Sequence, residues 1–311
     1  MRICRIIFLC LLAVTALPSL HAQTHADFEK EMVEFFNQGK FAEAVPVALK
    51  AKDAAKREFG DTSGKYILGL TNLAFLYEKT ENYAATIPLY KEVAAIRKKT
   101  VGSAHPSYAV TLNDIGNSYF ALKEYSLAEP FYAEALVIQK KNYGPEHPEY
   151  TIILKNIAYL YRLLNQLDRS TTCFEEYLGV VKKLKGTNSD EYEEGLNALS
   201  LVLVENGKYA AAIPLYKELA KFYGDKLGEE HEKYSDFING LGRLYMEMAD
   251  FSNSELMFRK AMGIRKKNAG ENSESYAQSL NNMGVLFRKK GDFKTARTYY
   301  EQAVALRKRV V

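Results

Sequence analysis

The chain has 311 residues, of which 47% are hydrophobic and only eight are proline, so it has enough apolar material for a folded core. This composition is not that of a disordered protein. Its 42 basic and 38 acidic side chains nearly balance, which argues against a dedicated nucleic-acid-binding protein.

Residues 1–22 have the pattern of a secretory signal peptide. Arg2 and Arg5 precede an apolar run over residues 6–17, and the small residue Ala22 marks a cleavage site. The run is about 12 residues long, too short to cross a bilayer of roughly 30 Å as a helix. We therefore expect a mature protein without an integral membrane segment, exported to the periplasm or the exterior of a bacterium.

Removal of residues 1–22 would leave 40 basic against 38 acidic side chains and one cysteine, Cys173. A single cysteine excludes an internal disulfide, so stability has to come from burial along the chain. Cys173 lies between Thr172 and Phe174 in a predicted helix. Packing is the expected role of this thiol, rather than nucleophilic catalysis.

Six tyrosines recur every 42 residues without an insertion: Tyr66, Tyr108, Tyr150, Tyr192, Tyr234 and Tyr276. Counted from each tyrosine as zero, offsets 4 and 7 are apolar, offset 8 is small and offset 11 is aromatic in five of six copies. These offsets share one helical face. After a turn, an aromatic residue at offset 17 in five copies begins a second helix, which carries a small residue at offset 20 and an aromatic at offset 24.

This period predicts an all-α fold, a right-handed superhelical solenoid of about seven antiparallel helix hairpins over residues 23–311. Projected backwards, the period gives a first hairpin with the polar residue Glu31 at offset 7, which suits a capping repeat. The predicted hairpins cover residues 24–65, 66–107, 108–149, 150–191, 192–233, 234–275 and 276–311.

The pattern at offsets 7, 8, 11, 20, 24 and 27 resembles the tetratricopeptide repeat, in which these positions are Leu, Gly or Ala, Tyr, Ala, Phe and Ala. One departure is that the proline near offset 32 of the 34-residue form is replaced by lysine in five copies and by Gly224 in one. The second helix should therefore continue for about one more turn. It should end at the glycine of offset 36, found in Gly102, Gly144, Gly186, Gly228 and Gly270.

The loops between hairpins narrow the resemblance further. They contain His105-Pro106, His147-Pro148 and His231, each followed within three residues by the periodic tyrosine. Together with the 42-residue period, these loops look like the repeats of kinesin light chains and their bacterial relatives. The resemblance covers nearly the whole mature chain.

The sequence contains no recognisable catalytic or metal-binding motif. Three histidines, His105, His147 and His231, fall on three loops; neighbouring hairpins stack about 10 Å apart, whereas zinc bonds are about 2 Å long. A role in the loop turns is the expected one. The chain has no GxSxG, Walker A, HExxH or paired-cysteine motif, so we expect no catalytic residue, no metal and no cofactor.

Offsets 5 and 6 carry at least one asparagine in every repeat that begins with the periodic tyrosine. The resemblance implies that the first helix of each hairpin lines a concave face and that such asparagines hold bound peptides. An asparagine amide both donates and accepts hydrogen bonds, which suits pairing with the backbone of an extended peptide. An equally weighted alternative is that these amides satisfy groups within the stack.

Candidate peptide-binding residues on the first helices also include side chains near offsets 2, 9 and 12, which are apolar early in the chain and charged later. Packing inside the superhelix is the alternative role for some of them. The full candidate set is Asn72, Phe75, Asn113, Asp114, Phe120, Asn156, Tyr159, Arg162, Asn197, Asn239, Arg243, Asn281, Asn282 and Arg288.

The predicted function is that of a non-catalytic scaffold that binds a protein or an extended peptide and no nucleic acid. The alternative is a sensor or regulatory arm of a larger complex whose catalytic part lies elsewhere. Basic clusters end most second helices, as in Arg97-Lys98-Lys99. They are expected to stabilise the helix C-terminus; a basic edge for an anionic partner is the alternative.

Two irregularities lead to further expectations. The hairpin from Tyr150 has Leu167 for an aromatic at offset 17 and the bulky Tyr177 at offset 27, which predicts loosened packing there. The last hairpin is expected to expose apolar side chains, and the predicted consequence is end-to-end self-association, docking of another protein, or contact with a following domain absent from this sequence. The side chains concerned are Phe287, Tyr299, Tyr300 and Leu306.

Overall fold

The computed structural model of the protein describes residues 23–310. The predicted signal peptide, residues 1–22, lies outside the described residues. Within the described range there are fourteen α-helices and no strand, which confirms the prediction of an all-α helical-repeat fold. The helices are α1 (His25–Asn37), α2 (Phe41–Phe59), α3 (Gly64–Lys79), α4 (Tyr83–Thr100), α5 (Pro106–Ala121), α6 (Tyr125–Tyr143), α7 (Pro148–Leu163), α8 (Leu167–Lys185), α9 (Asp190–Glu205), α10 (Tyr209–Leu227), α11 (Glu232–Glu247), α12 (Phe251–Ala269), α13 (Glu274–Lys289) and α14 (Phe293–Val310).

The helices form two compact units, and the division between them falls within α4. Unit 1 extends to Leu89, and unit 2 begins at Tyr90. In unit 1, α2 packs against both α1 and α3; in unit 2, each helix from α5 to α14 packs against the next one along the chain. Among residues 23–310, no helix combines the length and the apolar character needed to span a bilayer.

Helix boundaries follow directly from residue chemistry. The second helices are 18 or 19 residues long, whereas α3 and the later first helices have 16, as the absence of proline at offset 32 predicts. Gly144 and Gly186 end α6 and α8 with φ of 80° and 79°. Such positive φ angles are strained for residues with a Cβ, which explains the glycine at offset 36.

The two helices of a hairpin approach closely because a small residue faces an aromatic ring. In α5, a Cβ placed on Gly116 would lie 2.7 Å from the ring of Tyr132 on α6. Gly242 faces Phe258 in the same way, at 2.6 Å. Ser254 adds a hydrogen bond of 2.8 Å from its hydroxyl to the carbonyl of Gly242. Offsets 8, 20 and 24 therefore form one contact layer within the hairpin.

In the hairpin from Tyr150, the bulky side chain at offset 27 is buried against the next hairpin. Tyr177 is buried, and its ring lies where a Cβ on Gly195 would approach within 2.9 Å. The glycine in α9 provides the space that the bulky tyrosine in α8 needs. This contact shows how the bulky side chain is accommodated, and loosened packing in this hairpin stays a prediction.

Candidate functional site

In unit 1, two of the candidate residues line an apolar cleft. Asn72 and Phe75 of α3 meet Val33 and Phe36 of α1 around a cleft of about 220 Å³. Phe75 is 39% exposed, and the ammonium of Lys79 lies 5.0 Å from its ring centroid. The sequence predicted apolar candidate side chains in the early hairpins, and here such side chains are at the surface.

In unit 2, the first helices α5, α7, α9, α11 and α13 form what we call the first-helix face, and side chains bond across the seams between successive members. At the α5–α7 seam, the Asn156 amide nitrogen donates to the Asn113 oxygen at 3.1 Å and to the Asn117 oxygen at 3.2 Å. Tyr132 donates to the same Asn117 oxygen at 2.8 Å. Asn113 is buried by these contacts, so its amide takes part in holding the stack together.

The α11–α13 seam repeats this arrangement. Asn282 donates to Asn239 at 2.7 Å, so offset 6 of one hairpin again bonds to offset 5 of the hairpin before it. Four of the candidate asparagines are thus engaged with one another. For these four residues the structure shows contacts within the stack, and peptide binding through their remaining amide atoms stays a prediction.

Ion pairs close the α7–α9 seam and add to the α11–α13 seam. Arg162 makes a bidentate contact with Glu205, at 2.8 and 2.6 Å. Lys155 contacts Glu194 at 3.1 Å. Lys289 contacts Glu247 at 2.8 Å. The sequence predicted that Arg162 binds a ligand. In this structure its guanidinium is bound by Glu205 of the next hairpin.

The α9–α11 seam differs from the other three. Among the described residues, no side-chain hydrogen bond and no ion pair joins α9 to α11. Asn197 occupies offset 5 in α9, but offset 6 of the next hairpin is Gly240, which has no side chain to pair with it. Asn197 is accordingly exposed. A Cβ at Gly240 would lie 2.4 Å from the ring of Tyr216, so this ring occupies the space that a side chain would need.

A cleft of about 360 Å³ opens at this same seam. Its apolar wall comes from both helices and from α10, namely Leu201, Val204, Tyr209, Tyr216 and Leu244, with Glu205 and Glu247 at its edge. Arg243 also lines the cleft, is exposed, and makes no ion pair with a described residue. Burial raises the pKa of Tyr216, and the charge of Arg243 opposes that shift, which places the guanidinium near the ring.

The remaining candidates are spread along the face rather than gathered at one point. Phe120 packs against Tyr125, with ring centroids 5.4 Å apart, and Tyr159 packs on Phe174 at 5.0 Å. Both are half-buried, as are Asp114 and Asn281, whereas Arg288 is exposed. The structure therefore brings Arg243 close to a cleft and leaves Arg288 on an open surface.

The three loop histidines cap helices. The Nδ1 atom of His105 accepts from the backbone nitrogen of Ser107 at 3.1 Å, and those of His147 and His231 each accept a bond of 3.2 Å from the residue two positions on. Serines take the same position before α3, α9 and α13. In the part of the chain that the structure describes, no group of His, Cys, Asp and Glu side chains could hold a metal ion.

Six of the thirteen side chains in the basic clusters at the ends of the second helices form an ion pair with an acid. Lys140 contacts Glu176 at 2.9 Å, and Lys183 contacts Glu146 at 3.1 Å. Lys267 is paired with Glu230 in the same manner. These contacts give part of each cluster a role within the stack, and a basic edge for a partner stays the alternative.

The thiol of Cys173 is half-buried within α8. Burial raises its pKa to about 11, with a smaller rise from the charge of Glu176. At neutral pH the residue is therefore a thiol and not a thiolate, the form that acts as a nucleophile. This agrees with a packing role.

Comparison with known proteins identifies the repeat. The tetratricopeptide repeat model matches residues 65–141, 107–183 and 234–309, and a second model of the same repeat matches residues 195–232. A search of the curated proteins finds no match. The repeat generally forms non-catalytic scaffolds for protein–protein interaction.

Solved structures show the same fold at low sequence identity. A putative kinesin light chain repeat protein from Podosopora anserina is 18% identical with a TM-score of 0.57, covering 65% of this chain and 96% of that one. BtubC (BKLC) from P. vanneervenii is 20% identical with a TM-score of 0.51, covering 73% and 88%. A tetratricopeptide repeat protein from Parabacteroides merdae is 15% identical with a TM-score of 0.52, covering 92% and 94%.

Proposed function

Because the chain belongs to the tetratricopeptide-repeat family, we propose that it binds an extended segment of a partner protein on the first-helix face of unit 2, with the α9–α11 seam as the principal contact. The observation that carries this proposal is that this seam alone, among the described seams of the face, lacks a side-chain hydrogen bond or ion pair and holds a cleft. The polar side chains at this seam do not bond to one another and are therefore available to a ligand.

Three groups at the seam supply complementary interactions. The Asn197 amide offers a donor and an acceptor to a peptide backbone. The unpaired guanidinium of Arg243 suits a carboxylate or a carbonyl oxygen, which it can bind through two hydrogen bonds. The cleft between them takes an apolar side chain, whose burial contributes about 25 cal/mol per Å² of apolar surface.

The paired asparagines are weaker candidates for the same task. A ligand that bonded to Asn113 or Asn156 through the atoms they now share would have to break the contact of 3.1 Å between them. Asn197 has no such contact to lose. Binding energy should therefore concentrate at the α9–α11 seam and fall off along the face.

Site-specific photocrosslinking tests this function. A photoreactive amino acid at Leu201, 38% exposed at the cleft, should give a discrete adduct with a cellular partner. The same group at Val137, 67% exposed on α6, is the control and should not. Combining the Leu201 probe with Asn197→Ala and Arg243→Gln should lower the adduct yield at least tenfold, equivalent to about 1.4 kcal/mol of binding.

Two results would contradict the proposal. One is an adduct from the control position of equal yield to that from the cleft. The other is an adduct at the cleft that persists unchanged in the double variant, provided that circular dichroism shows the variant to be folded.

We also propose that the protein is exported after removal of residues 1–22. The support is the charged, apolar and small-residue pattern of that segment. Expression in a bacterial host should yield a protein in the periplasmic or extracellular fraction whose mass corresponds to a chain starting at Gln23. Arg2→Glu with Arg5→Glu should reduce export, and unprocessed protein in the cytoplasm of the wild-type culture would contradict the proposal.

A further inference from the structure

A second cleft of unit 2 opens at the α7–α9 seam. It has a volume of about 300 Å³ and is lined by the N-terminal part of α7, the C-terminal part of α8 and the start of α9. Ile152 and Leu184 are each 46% exposed there, whereas Tyr177 and Val181 are buried and form its floor. We call this opening the α7–α9 cleft, and the cleft beside Arg243 the α9–α11 cleft.

The charged side chains at the edge of the α7–α9 cleft are paired. Lys155 contacts Glu194 at 3.1 Å, and Lys185 contacts Glu191. The two pairs leave no net charge at the opening, so the cleft suits an uncharged, apolar side chain. The α9–α11 cleft also has an apolar wall, in which Leu201 is 38% exposed.

The two clefts are built in the same way and share one helix. Each is lined by two successive first helices and by the second helix between them in sequence. Glu191 of α9 lines the α7–α9 cleft, and Leu201 and Val204 of the same helix line the α9–α11 cleft. Asn197 lies between them along α9 and is exposed. A segment that crosses α9 beside Asn197 can therefore reach both clefts.

Helix geometry gives the separation of the two clefts. The first-helix residues that line the α7–α9 cleft centre near offset 2, and those of the α9–α11 cleft centre near offset 10. Eight residues of helix rise about 12 Å, and neighbouring first helices lie about 8–10 Å apart, so the clefts are about 15 Å apart. An extended chain advances about 3.3 Å per residue and points every second side chain the same way. Side chains four residues apart, about 13 Å, therefore fit the two clefts.

We propose that the partner segment carries two apolar side chains at positions i and i+4, one for each cleft, and that its backbone crosses α9 beside Asn197. This inference rests on the proposed binding at the α9–α11 seam and adds a second anchor to it. The residue at i+2 faces α9 between the clefts, where the Asn197 amide bonds to the segment's backbone. The residues at i+1 and i+3 point away from the face. The segment is thus recognised by the spacing of its two anchors.

Peptide selection tests this spacing. Random peptides displayed on phage and selected on the purified protein should share two apolar positions four residues apart. A selected peptide is then labelled and its affinity measured by fluorescence anisotropy. One residue inserted between the anchors turns the second anchor to the other side of the chain, so it should weaken binding at least about tenfold. The same residue inserted outside the pair is the control and should leave the affinity unchanged.

Protein variants assign each anchor to its cleft. Ile152→Glu in the α7–α9 cleft and Leu201→Glu in the α9–α11 cleft each introduce a charge where an apolar side chain should bind. Each should weaken binding at least about tenfold. Alanine in place of the peptide anchor that enters the altered cleft should then cause no further loss, whereas alanine in place of the other anchor should.

Val304→Glu is the matched control in the protein. This valine lies on the second helix α14 and is 53% exposed, so the same substitution there should leave the affinity unchanged. Other apolar side chains of the last hairpin are less exposed than the sequence predicted. Phe287 and Leu306 are buried, and Tyr299 and Tyr300 are half-buried.

The outcomes separate this inference from the proposed function. An unchanged affinity in Ile152→Glu, or a tolerated insertion between the anchors, would overturn the second anchor; the proposed function would stand if Asn197→Ala with Arg243→Gln still weakened binding. A selection that enriches no peptide, or peptides that bind this double variant equally well, would count against both. Circular dichroism confirms that each variant is folded, and the changes made in the peptide leave the protein unaltered.

Discussion

Phe174→Ala should destabilise unit 2 by about 3–5 kcal/mol, the range for removing a fully buried aromatic ring. The ring has no exposed surface and lies in a core cluster with Ala158, Tyr177 and Leu199. Its removal leaves a cavity between α7 and α8 that rigid helix packing cannot close. The expected result is a lower midpoint in urea denaturation followed by circular dichroism.

Phe293→Ala is the matched control, because that ring is 71% exposed and begins a second helix in the same unit. Its effect should stay within about 0.5 kcal/mol, as for other surface substitutions. If the two variants were destabilised equally, the assignment of Phe174 to the core of its hairpin would be incorrect.

Gly242→Ala and Gly263→Ala should change stability in opposite directions, although both replace a glycine inside a helix. A Cβ at Gly242 would approach the ring of Phe258 to 2.6 Å, and this ring is buried and has little room to move. Overpacking of this kind costs about 1–3 kcal/mol. Nothing lies within 4 Å of a Cβ at Gly263, so alanine there should stabilise by about 0.5–1 kcal/mol through its higher helix propensity.

Thermal denaturation of the two variants side by side measures this difference. A stabilised Gly242→Ala protein would show that the ring of Phe258 shifts at no cost and that the contact between offsets 8 and 24 does not limit how closely the helices approach. A destabilised Gly263→Ala protein would indicate an unseen constraint on α12.

The repeat period was enough to predict the helices, the turns between them and the small and aromatic positions on each helix. These features depend on residues at fixed spacing in one hairpin, such as Gly116 and Tyr132, whose contact follows from local geometry. The glycine at offset 36 was informative for the same reason, since its conformation is set by its neighbours in sequence.

Contacts between hairpins were harder to predict, because they depend on which residues stand opposite each other in two copies of the repeat. The candidate asparagines look equivalent in sequence, but Asn113 has a partner in Asn156 while Asn197 faces Gly240. The same applies to Tyr177, whose bulk is matched by Gly195 one hairpin later. Comparing offset 5 of each repeat with offset 6 of the following one would have identified Asn197 as the asparagine without a partner.

Residues of the proposed contact that lie outside the repeat pattern were not predicted either. Leu201, Val204 and Leu244 line the cleft at the α9–α11 seam, but as isolated aliphatic residues in helices they carry no distinguishing signal. Arg162 was predicted as a ligand-binding residue because of its charge, but its guanidinium forms an ion pair with Glu205.

Because the 42-residue period has no insertion, the hairpins should follow one another along the first-helix face at a constant spacing. Successive first helices in contact lie about 8–10 Å apart, and an extended peptide advances about 3.3 Å per residue. If the protein binds an extended peptide as proposed, each hairpin would span about three ligand residues. In the proposed mode of binding, a ligand displaced by about three residues would then present its side chains to the next hairpin, whose side chains on the face are different.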